Sequence, residues 1–261
     1  LWGYDDPLID IAHLFAPKKI GKKFGLFYGF NGSDDGEFNV FTGVSDTAKF
    51  NFIDRFKGLS ALTDWDTPYA NMLNGTDGTM FAPFVSKHQT LSAFGLDLCR
   101  SVDYVYEKEV SFKDIDLLRF VIPQRVLANS SSYPGNEGFC PGNVCHPDGV
   151  LNVSSCREGA PILMSWPHFY MADPIYLTKV NGLKPIKEKH ENFVDVEEHL
   201  GIVPHSARRE QINLDLQAVE GFSQVSGVES CFFPALWIGV EGYLNDALAD
   251  YVQNSFQLVI V

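Results

Sequence analysis

The chain has 261 residues, of which 45% are apolar and 20% are charged, and its formal net charge at pH 7 is −13. This composition is typical of a globular protein and excludes a disordered chain. The acidity argues against nucleic acid as a partner, because nucleic-acid binding needs Lys and Arg to neutralise phosphates. The 21 Phe and 10 Tyr residues favour β-strands, and no apolar run is long enough to span a bilayer.

The first predicted element is a short amphipathic helix over residues 4–16. An Asp cap precedes Pro7 in the first turn, and Pro17 ends the helix. Its apolar side needs a partner surface and is formed by Leu8, Ile11 and Phe15. Four lysines follow directly and reverse the local acidity: Lys18, Lys19, Lys22 and Lys23.

Beyond the lysines, the sequence predicts strands joined by turns and a final helix over 246–256. A turn cluster at 31–36 separates the first two strands, as in a β-hairpin. The stretch 129–161 is rich in Ser, Gly, Asn, Pro and Cys and is predicted to be a long irregular loop. Strands are predicted at 24–30, 38–44, 50–56, 102–106, 117–121, 162–165, 211–216 and 232–238.

The five cysteines indicate disulfides in preference to a metal site. Cys140 and Cys145 suggest zinc, but no second Cys pair or His pair follows at the spacing of a zinc finger. Disulfides are therefore the preferred interpretation for the four cysteines from Cys99 to Cys156. We expect Cys231, which stands apart, to be a buried free thiol.

Four Asn-x-Ser/Thr sequons predict N-glycosylation at Asn31, Asn74, Asn129 and Asn152. Each sequon lies beside Gly, Asp or Ser residues, where loops are expected. Their excess over chance is modest, but it agrees with the disulfides in placing the domain outside the cytosol.

No catalytic constellation is present in the sequence, so we predict a binding protein without a cofactor and not an enzyme. The Gly-x-Ser-x-Gly nucleophile motif and a Gly-rich phosphate loop are both absent. Ser165 and His168 are neighbours in sequence, but a hydrogen-bonded structural His is the preferred interpretation of His168.

Acidic and His-containing segments do not predict a metal site. The segment 190–199 lacks the HExxH spacing of a zinc protease and is interpreted as a solvated charged stretch. Asp34, Asp35 and Glu37 lack the ligand pattern of an EF-hand loop, and a hairpin turn explains them.

A series of motifs runs in order along nearly the whole chain. They are Leu1-Trp-Gly-Tyr-Asp-Asp-Pro7, Phe24-Gly-Leu-Phe-Tyr28, Asn31-Gly-Ser-Asp-Asp-Gly36, Asn71-Met-Leu-Asn-Gly-Thr-Asp-Gly78, Phe81-Ala-Pro83, Cys99-Arg-Ser101, Gly138-Phe-Cys140, Cys156-Arg-Glu-Gly-Ala-Pro161, Ser165-Trp-Pro-His-Phe-Tyr170, Ala172-Asp-Pro174, Asn181-Gly-Leu-Lys-Pro185 and Phe193-Val-Asp195. Together they resemble the class B scavenger receptor family, in both its lipoprotein-receptor branch and its lysosomal-membrane branch.

The resemblance implies an α+β, mainly β ectodomain between two transmembrane helices that are not in this chain. Its fold would be an irregular antiparallel β-barrel with a lipid tunnel and an apical helical bundle. Residues 1–261 resemble the C-terminal two-thirds of that ectodomain as a single unit, with the helix at 4–16 at the apex. Similarity to the lysosomal branch also implies two disulfides, Cys99–Cys156 and Cys140–Cys145. Hydrophobic chain ends agree with a piece of a longer protein, and we expect the first barrel strands to lie outside this chain.

The function implied by the resemblance is that of a cell-surface scavenger or lipoprotein receptor on the extracellular side of the plasma membrane. It would bind lipids, lipoprotein particles or anionic ligands and pass hydrophobic cargo through the tunnel to the membrane. The apical contacts would be the apolar side of the helix and the four lysines, although a solvated connector explains the lysines equally well. The surplus of Phe would line the tunnel, but core packing is favoured for any single Phe.

The main alternative implied by the resemblance is a sorting receptor on the luminal side of the lysosomal membrane. Such a receptor would grip a hydrolase, a protein ligand, at its apex and release it in acid, with His13 as the switch. A sensory or immune recognition protein of the same fold is a further alternative.

Overall fold

The computed structural model describes residues 3–5, 7–15, 23, 32–34, 36–157, 159–218 and 226–259; for residues 8, 11, 12, 15 and 254–259 the description covers the backbone alone. The chain divides into two compact units, residues 1–37 and residues 38–261.

The first unit contains the helix α1 (Pro7–Phe15), which lies within the predicted range 4–16. Lys23 forms an ion pair with Asp5, with Nζ 3.0 Å from Oδ2. The carboxylate of Asp34 accepts a hydrogen bond from the main-chain N–H of Gly36, as in a turn. The predicted strand at 24–30 lies outside the described residues.

The described residues of the second unit form two antiparallel sheets. Strands β1 (Phe38–Val40) and β2 (Ile53–Phe56) form a pair. The larger sheet has eight strands, in the order β3-β4-β5-β8-β9-β7-β6, and β10 also pairs with β9. These strands are β3 (Leu91–Gly95), β4 (Arg100–Phe112), β5 (Ile115–Val121), β6 (Val150–Asn152), β7 (Ile162–Ser165), β8 (Phe193–Val196), β9 (His205–Leu216) and β10 (Cys231–Tyr243). Two further helices are α2 (Lys187–His190) and α3 (Asp246–Val259).

The prediction of a mainly β chain with antiparallel sheets is confirmed, although several strand bounds were wrong. The strand predicted at 38–44 ends at Val40. The strand predicted at 50–56 begins only at Ile53, because a 3-10 helix precedes it and Asn51 has a φ of 60°, which a strand cannot contain. The stretch predicted as one irregular loop at 129–161 contains the strand β6.

Two local features of the larger sheet follow from its sequence: a tight hairpin turn and a proline on an edge strand. Phe112 and Ile115 face each other across a two-residue turn in which Lys113 and Asp114 both have positive φ. This is the geometry that matches the twist of a hairpin, so β4 and β5 pair tightly. Pro234, which cannot donate to a ladder, lies at a register shift of β10, an edge position that tolerates it.

A closed barrel is not found among the described strands. β10 pairs with β9 along the whole length of β9, and within the described part of the chain its other edge pairs with no strand. None of the described helices is long and apolar enough to cross a bilayer.

Candidate ligand-binding face of the sheet

The larger sheet has one face that is mainly apolar. The register places Phe120 opposite Val194, Val194 opposite Ser206, and Met164 opposite Ile212, and paired residues point to the same side. This surface, which we call the apolar face, is covered over β4, β5 and β7 by two buried hydrophobic clusters. Phe120 is fully buried there.

Over β9 and β10 the apolar face becomes exposed. Leu214 lies opposite Phe233, and their side chains are 37% and 45% exposed. Val240 is 53% exposed. We call this surface the open strip; it consists of Leu214, Phe233, Leu236, Ile238 and Val240. A row of large apolar side chains that continues from the core onto the solvent-exposed surface is a typical binding surface for apolar ligands or for further polypeptide.

A buried carboxyl lies on the apolar face beside the open strip. Glu210 is opposite Ile238 and only 7% exposed. Burial, and then the charge of Asp97, raise the pKa of Glu210 to about 7. Asp97 itself lies 3.4 Å from a guanidinium nitrogen of Arg208 and 3.6 Å from one of Arg157. Glu210 is therefore a carboxyl group that can donate or accept a proton near neutral pH, next to an apolar surface.

The opposite face of the sheet, which we call the polar face, contains paired charges. Asp195 is buried and receives two hydrogen bonds from Arg119, at 2.6 and 2.7 Å. His205 Nδ1 lies 2.9 Å from Asp195, and His205 Nε2 lies 3.0 Å from Glu241. These contacts join β5, β8, β9 and β10 at one level of the sheet. Buried charges are tolerated when they are paired in this way.

The interpretation of 190–199 as a solvated stretch was wrong. Most of this segment is buried because β8 lies between β5 and β9, and its acidic groups have partners. Glu197 is 3% exposed, and its carboxylate accepts hydrogen bonds from the main-chain N–H groups of His199 and Leu200. Among the described residues there is no group of three or more His, Cys, Asp or Glu that could hold a metal ion.

Ser165 and His168 have separate structural partners. Ser165 Oγ is buried and is contacted by the side-chain amides of Gln211 and Asn213. His168 Nδ1 accepts a hydrogen bond from the main-chain N–H of Lys184 at 3.1 Å. The prediction of a hydrogen-bonded structural His is confirmed at this position.

The four cysteines between residues 99 and 156 form two disulfides. Cys99 is bonded to Cys156, 57 residues away, and Cys140 is bonded to Cys145, five residues away. This is the pairing that the resemblance implies. Cys231 is free but half-buried, not buried as expected, because it is the first residue of the edge strand β10.

The comparison with known proteins identifies the family of the chain. The family model described as "CD36 family" matches residues 1–261. The chain belongs to the CD36 family. Scavenger receptor class B member 1 of Sus scrofa is 40% identical over 247 residues, covering 94% of this chain and 48% of the relative. Lysosome membrane protein 2 of Rattus norvegicus is 37% identical over 262 residues, covering 100% of this chain and 54% of the relative.

The matches confirm the resemblance to class B scavenger receptors. The chain spans about half the length of the curated relatives it matches. It is therefore similar to one part of these CD36-family proteins.

Three of the four predicted glycosylation sites are half-buried, and the fourth lies outside the described residues. Asn129 donates from Nδ2 to the main-chain oxygen of His146 at 2.7 Å, which uses one of its two amide hydrogens. Asn152 accepts from the main-chain N–H of Ser154 at 2.9 Å. Asn74 is half-buried, and Asn31 lies outside the described residues. All four stay predictions.

Most of the predicted apical contacts belong to residues or side chains that the structure does not describe. Lys18, Lys19 and Lys22 are not described, and neither are the side chains of Leu8, Ile11 and Phe15. Lys23 is paired with Asp5, as noted above. Leu14, which sequence periodicity did not select, is 78% exposed on α1.

Sequence reasoning missed the open strip and Glu210, although the strands that carry them were predicted. The sequence of β10 has apolar residues on both sides, so alternation could not show which side faces the core. Glu210 lies one residue before the range predicted for β9, and only the longer observed strand brings it into the sheet.

Proposed function

We propose that the protein containing this chain is a cell-surface scavenger or lipoprotein receptor that binds lipid and passes hydrophobic cargo through an internal tunnel to the membrane. The open strip is the observation that carries this proposal. It extends the buried apolar core of the sheet into a surface that water contacts, in a chain of the CD36 family.

The tunnel would form around the apolar face. Within the described part of the chain, the outer edge of β10 pairs with no strand and could accept further strands, and such strands would curve the sheet into the barrel expected for this family. The open strip would then line the inside of the barrel. Covering one Leu, Val or Phe side chain with lipid would contribute about 1.5–3 kcal/mol, so a few contacts suffice to hold cargo.

The proposed location is the extracellular side of the plasma membrane, with flanking transmembrane helices outside this chain. Two disulfides favour an oxidising compartment. The partners would be lipids, lipoprotein particles or anionic ligands. The helix α1 and the four lysines after it would be the first contacts with particles at the apex.

The second candidate is a lysosomal sorting receptor with a protein ligand at its apex, on the luminal side of the lysosomal membrane. The relatives named lysosome membrane protein 2 favour it. Glu210 is consistent with it, since its raised pKa favours the protonated form in acid. His13 would be the apical switch.

A lipid-transfer assay on the whole protein tests the first proposal. Phe233→Glu or Val240→Glu would put a charge on the open strip, and transfer of a fluorescent sterol from particles to acceptor vesicles should fall about ten-fold or more, since each change removes an apolar contact and adds a desolvation cost. Val44→Glu is the matched control, because Val44 is 92% exposed in a bend outside the sheets. Equal transfer by all three variants would reject the open strip as a cargo surface.

A further inference from the structure

A cavity of about 710 Å³ opens on the polar face of the sheet, and Val240 is the one residue of the open strip in its lining. Its lining includes the imidazoles of His168 and His190, the guanidinium of Arg209 and the indole of Trp237. Gly239 lies opposite Arg209 in the floor of the cavity. A Cβ at Gly239 would come within 3.1 Å of the Trp237 ring, so a larger residue at this position would crowd the indole.

The two imidazoles are stacked and are held in one tautomer. Their ring centroids are 4.6 Å apart, and their planes differ by 8°. The Nδ1 atom of His168 accepts a hydrogen bond from the main-chain N–H of Lys184, and that of His190 accepts one from Ile186, at 3.1 and 3.0 Å. Because an accepting Nδ1 carries no proton, each neutral ring has its proton on Nε2.

The Nε2–H groups have no hydrogen-bond partner among the described residues. His190 is only 3% exposed, yet it belongs to the lining of the cavity. Burial lowers the pKa of His190 to about 4, which agrees with a neutral ring. The structure thus holds two parallel N–H donors ready for an acceptor.

Two cationic side chains line the same opening. Arg209 uses one nitrogen for the main-chain oxygen of Glu191, and its other donors are available to the cavity. Lys189 also lines the cavity. Two carboxylates line the opening as well, but Glu188 and Glu241 are exposed, as is Lys189, and Glu241 is engaged by His205 Nε2. The buried and half-buried polar side chains of the lining are those of His168, His190 and Arg209, and all three present N–H donors, which favours an oxyanion.

We propose that this cavity is an oxyanion site, in which the Nε2–H groups of His168 and His190 and the guanidinium of Arg209 bind a phosphate group. The phosphate could be inorganic or the headgroup of a lipid, and the chemistry of recognition is the same. None of these three ligand groups belongs to the open strip, which touches the cavity only at Val240, so the proposal does not depend on the proposed function.

The proposal is tested by substitutions that remove the function of one nitrogen of His190 and keep that of the other. In His190→Asn, the amide oxygen replaces the Nδ1 acceptor and the Nε2 donor is lost. In His190→Gln, the amide nitrogen replaces the Nε2 donor. His168→Asn is a second donor-deleting variant, and Asn tolerates the φ of 54° at this position. His88→Asn is the control, since His88 is exposed outside the cavity.

Calorimetric titration of the whole protein, at constant ionic strength, would use inorganic phosphate and a short-chain lysophosphatidate. We expect saturable binding by the wild type, and about ten-fold weaker binding by His190→Asn and His168→Asn, since a hydrogen bond to a charged group contributes about 1.5 kcal/mol or more. His190→Gln and His88→Asn should bind with the affinity of the wild type. Binding of lysophosphatidate alone with this dependence would identify a headgroup site, and binding of both would identify a site for phosphate itself. If neither probe binds, or if folded His190→Asn and His168→Asn bind with the affinity of the wild type, the proposal is overturned.

Discussion

Glu210 should make the domain less stable as the pH rises from acidic to neutral. Burial and the neighbouring Asp97 raise its pKa from 4.5 to about 7 in the folded chain. A raised pKa means that the folded state favours the protonated carboxyl. Its contribution is therefore fully present below the pKa of the unfolded chain, about 4.3, and is lost as the pH rises through 7. At about 1.4 kcal/mol per unit, the free energy of unfolding should fall by about 2–3 kcal/mol between pH 5 and pH 8.

Glu210→Gln keeps the size of the side chain and removes its ionisation. In urea unfolding of the whole protein, the free energy of unfolding of the variant minus that of the wild type should be about 2 kcal/mol larger at pH 8 than at pH 5, because Gln does not ionise and so has no charge to bury. Glu137→Gln, at an exposed position, should follow the wild type at both pH values. A difference between wild type and Glu210→Gln that is equal at the two pH values, or larger at pH 5, would refute the reasoning.

Replacing both cysteines of the Cys99–Cys156 disulfide by Ala should lower the free energy of unfolding by about 4 kcal/mol, against about 2 kcal/mol for Cys140–Cys145, since their separations are 57 and 5 residues. Equal losses in denaturant titrations would contradict the loop-length argument. Asp195→Ala should cost about 3–5 kcal/mol, because it leaves Arg119 partly buried without its carboxylate. Thermal melting would check this, and a loss below about 1 kcal/mol would show that the charges on the polar face are not coupled to stability.

The sequence predicted the type of most elements because alternation and turn residues are local signals. The strand at 162–165 has the predicted bounds, and the final helix begins at the predicted Asp246. The lengths of β4 and β9 were underestimated because charged residues interrupt their apolar pattern. Lys108 and Arg208 continue strands whose partners, and not their own propensities, hold them in the sheet.

The candidate site was less predictable because it depends on contacts between distant strands. His168 and His190 lie 22 positions apart and stack only because the loop between them returns over the polar face. Asp195 and Arg119 were separate charges in the sequence, and only the register of β5 with β8 makes them a pair. The family motifs indicated a lipid receptor, but they did not indicate which side of β10 would face a ligand.

The most direct test of a lipid-conducting receptor is mass spectrometry of the lipids extracted from the purified whole protein. The account predicts that sterols or other hydrophobic lipids remain bound through purification, and that Val240→Glu lowers their amount while Val44→Glu does not. A folded wild-type protein that carries no hydrophobic lipid, even after incubation with lipoprotein particles, would contradict the account.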